Sequence, residues 1–192
     1  NSISDIKISS YNFTSASNTA NAYGGTGFRV GAAYGSSSAS ASTVVTGLSL
    51  TNIIFYQNYT RASSGDGGAI SFVTNTTGSD QSATISNCTF DGNTAGDYIT
   101  PTVSSTNNGG AIVLKDGNDI VINNSLFYDN RSMGFGGAIT AGHYAAGGTS
   151  PTLTIKNSLF YRNRWHSPSD ANGGIYITDA NLNLYNSFVN FN

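Results

Sequence analysis

One nine-residue outline, repeated along the chain, limits the possible folds more than any other feature. In Ile155-Lys156-Asn157-Ser158-Leu159-Phe160-Tyr161-Arg162-Asn163, an aliphatic residue is followed by Asn, then Phe, then a second Asn at fixed intervals. The same outline gives Leu50, Asn52, Phe55 and Asn58, then Ile85, Asn87, Phe90 and Asn93, then Ile122, Asn124, Phe127 and Asn130. A last copy has Leu184, Asn186, Val189 and Asn192, and a degenerate first copy has Ile8, Ser10, Phe13 and Ala16. Between copies lies a second motif: Gly67-Gly68-Ala69-Ile70, Gly109-Gly110-Ala111-Ile112, Gly136-Gly137-Ala138-Ile139 and Gly173-Gly174-Ile175-Tyr176, with a looser relative at Gly24-Gly25-Thr26-Gly27. The two motifs alternate strictly, and the Phe slots from Phe55 to Val189 lie 35, 37, 33 and 29 residues apart. Repeats of this length are single supersecondary units that must stack to bury a core, as in solenoids, propellers and arrays.

Composition chooses among these. Charged residues make up 9% of the chain and Glu is absent, while aromatic residues reach 11%, which sets it apart from a disordered polar segment. Gly, Asn, Ser and Thr oppose helical repeats, and no 3.6-residue period is present. Ser82-Ala83-Thr84-Ile85 and Thr152-Leu153-Thr154-Ile155 alternate as short strands do. A propeller needs regular hairpins, and only Asp116-Gly117, between 111–114 and 120–122, has the form of a hairpin turn. The expectation is an all-β, right-handed parallel β-helix of about five to six coils. It forms a single domain over 1–192, either a segment of a longer protein or a stacking subunit.

In that fold the repeat positions become columns. The GGAI and Thr-Ile-x-Asn segments are strands, with a third short strand near the second Asn. Phe55, Phe90, Phe127 and Phe160 form an inward aromatic column at about 4.8 Å per rung. Asn52, Asn87, Asn124, Asn157 and Asn186 stand at a strand end, where Asn accepts a left-handed backbone and amides can bond from rung to rung.

The alternating GGAI and FxxN tetrapeptides, at 67–70, 109–112 and 136–139 and at 55–58, 90–93, 127–130 and 160–163, resemble the passenger repeats of chlamydial polymorphic outer-membrane proteins. The resemblance covers essentially the whole chain. It implies a surface-exposed β-helix from an autotransporter adhesin, extracellular or at the cell surface, though neither a C-terminal barrel nor a signal sequence is present in these 192 residues.

Candidate chemistry is sparse. Polysaccharide-cleaving β-helices need paired carboxylates; Asp91 and Asp129 are the candidates, but they follow their Phe slots by one and two residues, a difference expected to point them to different faces. Asp116-Gly117-Asn118-Asp119 lacks the ligands of a calcium loop, His143 and His166 stand alone, and Cys88 aligns with Ser125, Ser158 and Ser187, a small-residue slot beside the Asn column. No catalytic residue, metal or cofactor is assigned. The net charge of −2 offers no footprint for nucleic acid, and no apolar run is long enough for membrane insertion by this segment. What remains is an outward strip of Tyr56, Tyr128 and Tyr161 with Arg162, Arg164 and Trp165 close in sequence, able to meet a sugar or a protein edge.

Three functions are compatible with these features. The first is a non-enzymatic adhesin or stalk that presents the unequal loops 29–43, 94–108 and 142–151 to a protein or glycan on a host or neighbouring cell. The second is a filament subunit that stacks end to end on itself. The third is a carbohydrate-active enzyme.

Overall fold

The computed structural model describes residues 2–4, 7–9, 12–14, 17–18, 28–31, 44–60, 66–73, 81–96, 107–142, 149–165 and 173–190. Their strands form a parallel β-helix: four long sheets in which each strand pairs, in parallel, with the equivalent strand one repeat away. A fifth, two-stranded sheet joins Ser2–Ser4 to Val44–Thr46.

Each coil contributes four strands. The fourth coil shows them in order: Asn118–Asn123, Leu126–Tyr128, Arg131–Ser132 and Ile139–Gly142. Of the three strands expected, those carrying the Ile and the GGAI motif are present, as is the short one after the second Asn. The Phe forms a further three-residue strand of its own. It is separate because a left-handed residue stands at each end of it: Asn124 (φ 47°) before and Asp129 (φ 48°) after. Two such bends within six residues cut the motif into two edges of the coil.

The pairing register follows the repeat. Ile85 pairs with Leu50 and Ile122, Ile122 with Ile155, and Ile155 with Leu184. Inside, Ile70, Ile112 and Ile139 line one wall, Leu50, Ile85, Ile122 and Ile155 a second, and Phe55, Phe90, Phe127 and Phe160 a third, all fully buried. The four Phe rings stack with centroids 4.7, 4.5 and 4.4 Å apart and planes within 6° of parallel. One side-chain spacing thus equals one strand spacing, so the aromatic column adds ring contact to every rung of backbone pairing.

The paired glycines have two different causes. Gly67, Gly109 and Gly136 adopt φ near +65°, which a Cβ opposes. Gly110, by contrast, has backbone packed against it: a Cβ there would sit 2.0 Å from the Gly137 carbonyl oxygen. Asp116 and Gly117 form a tight turn, both with positive φ, but it is a corner of the coil and not a hairpin. The strands it joins, Ile112–Lys115 and Asn118–Asn123, each pair with neighbouring coils. Behind this corner lies a buried ion pair between Lys115 and Asp66. Asn108 N–H also donates to Asp66 at 2.8 Å, and burial raises the Asp66 carboxyl above its ordinary pKa despite the lysine.

In the last described coil, Leu182 and Leu184 continue the inward columns of Leu153 and Ile155 yet are 39% and 45% exposed.

Candidate functional site

The three-residue Phe strands set the site's geometry. Alternation buries the central residue and turns both neighbours outward, so the sheet presents two external columns. Before the Phe column run Ile54, Thr89, Leu126, Leu159 and Phe188; after it run Tyr56, Asp91, Tyr128, Tyr161 and Asn190. Ile54, Tyr56, Leu159, Tyr161 and Phe188 are 38–61% exposed, so this is an apolar and aromatic face open to solvent.

The structure places Tyr56, Tyr128 and Tyr161 in one column, with Asp91 between the first two. Tyr128 and Tyr161 stack at 5.8 Å with planes 16° apart, and the Arg162 guanidinium lies 5.8 Å from the Tyr128 ring centre. With ring faces turned along the axis, the column offers edges and hydroxyls outward. Arg162 projects from the corner after the strand with φ of +57°, in the slot filled by Gln57 (φ 52°), Gly92 (φ 64°) and Asp129 (φ 48°) in other coils.

Arg164 and Trp165 lie beyond that corner on the next edge of the coil. Arg164 reaches back: its Nη2 is 3.4 Å from Asp129, which Arg131 also approaches at 3.5 Å. Trp165 turns elsewhere, against Phe135 at 5.0 Å; Phe135 in turn stacks on Tyr176 at 4.5 Å. The strip read from sequence as one feature is therefore two: tyrosines with Arg162 and the Arg131–Asp129–Arg164 cluster on one side, and a Phe135–Trp165–Tyr176 cluster on another.

The Asp91 carboxyl is raised above its ordinary pKa by partial burial and then by the charge of Asp129, which stands at the left-handed corner after the next coil's Phe strand. Among the described residues no group of three or more His, Cys, Asp or Glu could hold a metal ion.

The two Asn positions differ sharply. Asn52, Asn87, Asn124, Asn157 and Asn186 are exposed corner residues with φ between 42° and 56°. Only Asn186 to Asn157, at 2.8 Å, forms an amide–amide bond in this column among the described residues. The fully buried column is the second one: Asn58, Asn93, Asn130 and Asn163. Asn58, Asn93 and Asn130 each donate an amide to the next Asn Oδ1 at 2.8–2.9 Å, and their backbone N–H groups donate to the same oxygen at 3.0–3.1 Å. The Asn93, Asn130 and Asn163 amides also donate to the Phe carbonyl of the preceding coil. The second Asn of each FxxN tetrapeptide was the sequence signal for this ladder; its burial was what the sequence left unmarked.

Cys88 continues a small-residue column through Ser125, Ser158 and Ser187. The backbone N–H of each residue donates to the hydroxyl above, and each hydroxyl donates to a carbonyl two residues back at 2.8 Å. The Cys88 thiol contacts the Ser86 carbonyl at 3.3 Å, and burial raises its pKa. It is a structural thiol. Of the loops proposed as variable, residues 32–43, 97–106 and 143–148 lie outside the described residues, as do His143 and His166, while Phe28–Gly31 and Thr94–Ala95 are strands.

The fold and this external face define the class: a parallel β-helix repeat protein with its distinctive side chains on the outside of one sheet. Residues 87–115 match the Chlamydia polymorphic membrane protein repeat. The matched stretch covers three of the four strands of one coil, from the Asn87 corner through Phe90 and Asn93 to the end of the strand Ile112–Lys115. No curated protein and no solved structure matches the chain.

Proposed function

We propose that this chain is a stretch of a surface-displayed β-helical passenger, a non-enzymatic adhesin segment at the cell surface, and that the outer face of its Phe sheet binds a partner on a host or neighbouring cell. The observation that carries the reading is the exposure of Ile54, Tyr56, Leu159, Tyr161 and Phe188 on one sheet face. Exposed apolar and aromatic side chains gathered on one sheet face, here interrupted by Thr89 and Asp91, mark interaction sites. The polymorphic membrane protein repeat at 87–115 supports the surface setting.

Backbone conformation adds a second support. Arg162, Asp129 and Gln57 hold a left-handed conformation that Gly92 adopts without strain in the same corner. Keeping large polar side chains there costs on the order of 1 kcal/mol each. At Asp129 the ion pairs with Arg131 and Arg164 offset that cost; at Arg162 a binding face would.

The test is attachment of the purified protein to cultured epithelial cells, compared with a Tyr128→Thr/Tyr161→Thr variant. Thr14 already occupies this column in the first coil, so the strand tolerates the change. The reading predicts a loss of attachment of tenfold or more with an unchanged melt, about what removing two interfacial aromatic residues costs. Equal attachment by the folded variant contradicts it.

A further inference from the structure

The corner between the Ile sheet and the Phe sheet is concave. The triplets 87–89, 124–126, 157–159 and 186–188 line a groove of about 850 Å³ that crosses four coils. One wall is the column of exposed Asn amides; the other is Thr89, Leu126, Leu159 and Phe188. The floor is chemically closed. Its Ser hydroxyls are spent on carbonyls two residues back, and in the triplets 87–89, 124–126 and 157–159 the N–H groups of all three positions bond to neighbouring coils. Polar capacity therefore faces the groove mainly from the amides, with the Thr89 hydroxyl at one end of the opposite wall, and the amides of Asn87 and Asn124 have no partner among the described residues. No charged residue lines the groove, and nearby Lys156 is turned onto the Tyr185 ring, 5.7 Å from its centre.

We infer that this groove binds a neutral, linear polysaccharide lying along the solenoid axis, its hydroxyls on the Asn column and its apolar ring faces on the Leu/Phe wall. Three features select that ligand. The uncharged lining gives no counter-charge to an acidic polymer, whose desolvated carboxylates would go unpaired. One polar wall opposite one apolar wall suits a ligand with the same division, as sugars have. The amides also recur once per rung, about 4.8 Å, whereas side chains on one side of an extended peptide recur at about 6.8 Å and fall out of step within two coils. A β-1,4-linked hexose advances by roughly one rung; successive units are turned over, so equivalent hydroxyls return at about every second rung and the chain stays in step.

The inference rests on reading the chain as a surface-displayed binding protein, but its test is separate. Titration calorimetry with cellohexaose and the β-1,4-linked hexamer of N-acetylglucosamine measures binding directly, with polygalacturonate as the acidic control. Asn124→Gly/Asn157→Gly removes two amides while keeping the left-handed corner, and Leu159→Ser alters the opposite wall. The expected result is binding of a neutral hexamer that weakens about tenfold in the double Gly variant, as two lost hydrogen bonds predict, and also weakens in Leu159→Ser, with melting unchanged. No binding of either neutral hexamer, binding unaffected by both variants, or equal binding of polygalacturonate overturns it. If the Tyr128/Tyr161 variant loses cell attachment while no neutral sugar binds, the groove fails and the adhesive reading stands. If amide-dependent sugar binding is found while attachment ignores the tyrosines, the groove stands and the adhesive face fails.

Discussion

Two corners of the coil, six residues apart, carry the same amino acid for opposite reasons. At the first corner Asn124 is exposed and holds a φ of 47°; its identity is a backbone matter, and its amide is left over. At the second, Asn130 is fully buried, and its side chain makes four hydrogen bonds to neighbouring coils, with its backbone N–H donating a fifth to Asn163 Oδ1. The Oδ1 of Asn130 thus serves the backbone and side chain of Asn93, while its Nδ2 serves Phe90 and Asn163. One column is surface with chemistry to spare; the other is core with none.

That contrast can be broken by mutation. The largest effect is expected for Asn130→Ala, which strands a buried N–H, an amide and a carbonyl at once. At about 1–3 kcal/mol for each unsatisfied group, partly relieved by water, the loss should be about 3–5 kcal/mol in a urea melt. Phe127→Ala, which removes one ring from the stack, should cost a similar 3–5 kcal/mol by the same measurement. Asn124→Ala should cost only about 1 kcal/mol, the strain of a Cβ in the left-handed region, and Asn124→Gly close to nothing. A large loss in Asn124→Gly would show that the exposed column is structural after all.

Smaller effects sharpen the picture of the external face and of Cys88. Arg162→Gly should stabilise the fold by about 0.5–1 kcal/mol by relieving its positive φ, yet weaken cell attachment. A variant equal in both respects would remove the argument from strain. Cys88→Ser, which restores the hydroxyl of the column, should leave stability near neutral pH within about 1 kcal/mol. Its signature lies at high pH. Burial raises the thiol pKa in the folded state, so the unfolded chain releases its proton first. The native protein therefore keeps its full stability below the unfolded thiol pKa and loses it as pH rises toward the folded value. The Ser variant should lack that alkaline loss when melts are compared across pH.

Much of the scaffold was legible because a solenoid writes its contacts as a period. Phe55, Phe90, Phe127 and Phe160 are separated in sequence by the lengths that bring them into register, and the strand pairings follow those same offsets. Gly67 and its equivalents were readable as a demand for positive φ. The burial of Asn130 was not, because Asn is as suited to an exposed corner as to an internal ladder, and only the direction of its side chain separates the two. The separate Phe strand was missed for a related reason: Asp129, Gln57 and Arg162 bend the chain where sequence preference suggests Gly or Asn. Beyond that bend Trp165 lies away from the tyrosines, against Phe135. Side-chain direction after a corner depends on a dihedral angle that the residue names do not disclose.

The most direct test of this division between scaffold and surface is a pair of urea melts on the same day, Asn130→Ala against Asn124→Gly. The account predicts a gap of at least about 3 kcal/mol, with Asn124→Gly indistinguishable from the parent. Equal midpoints for the two variants would contradict it.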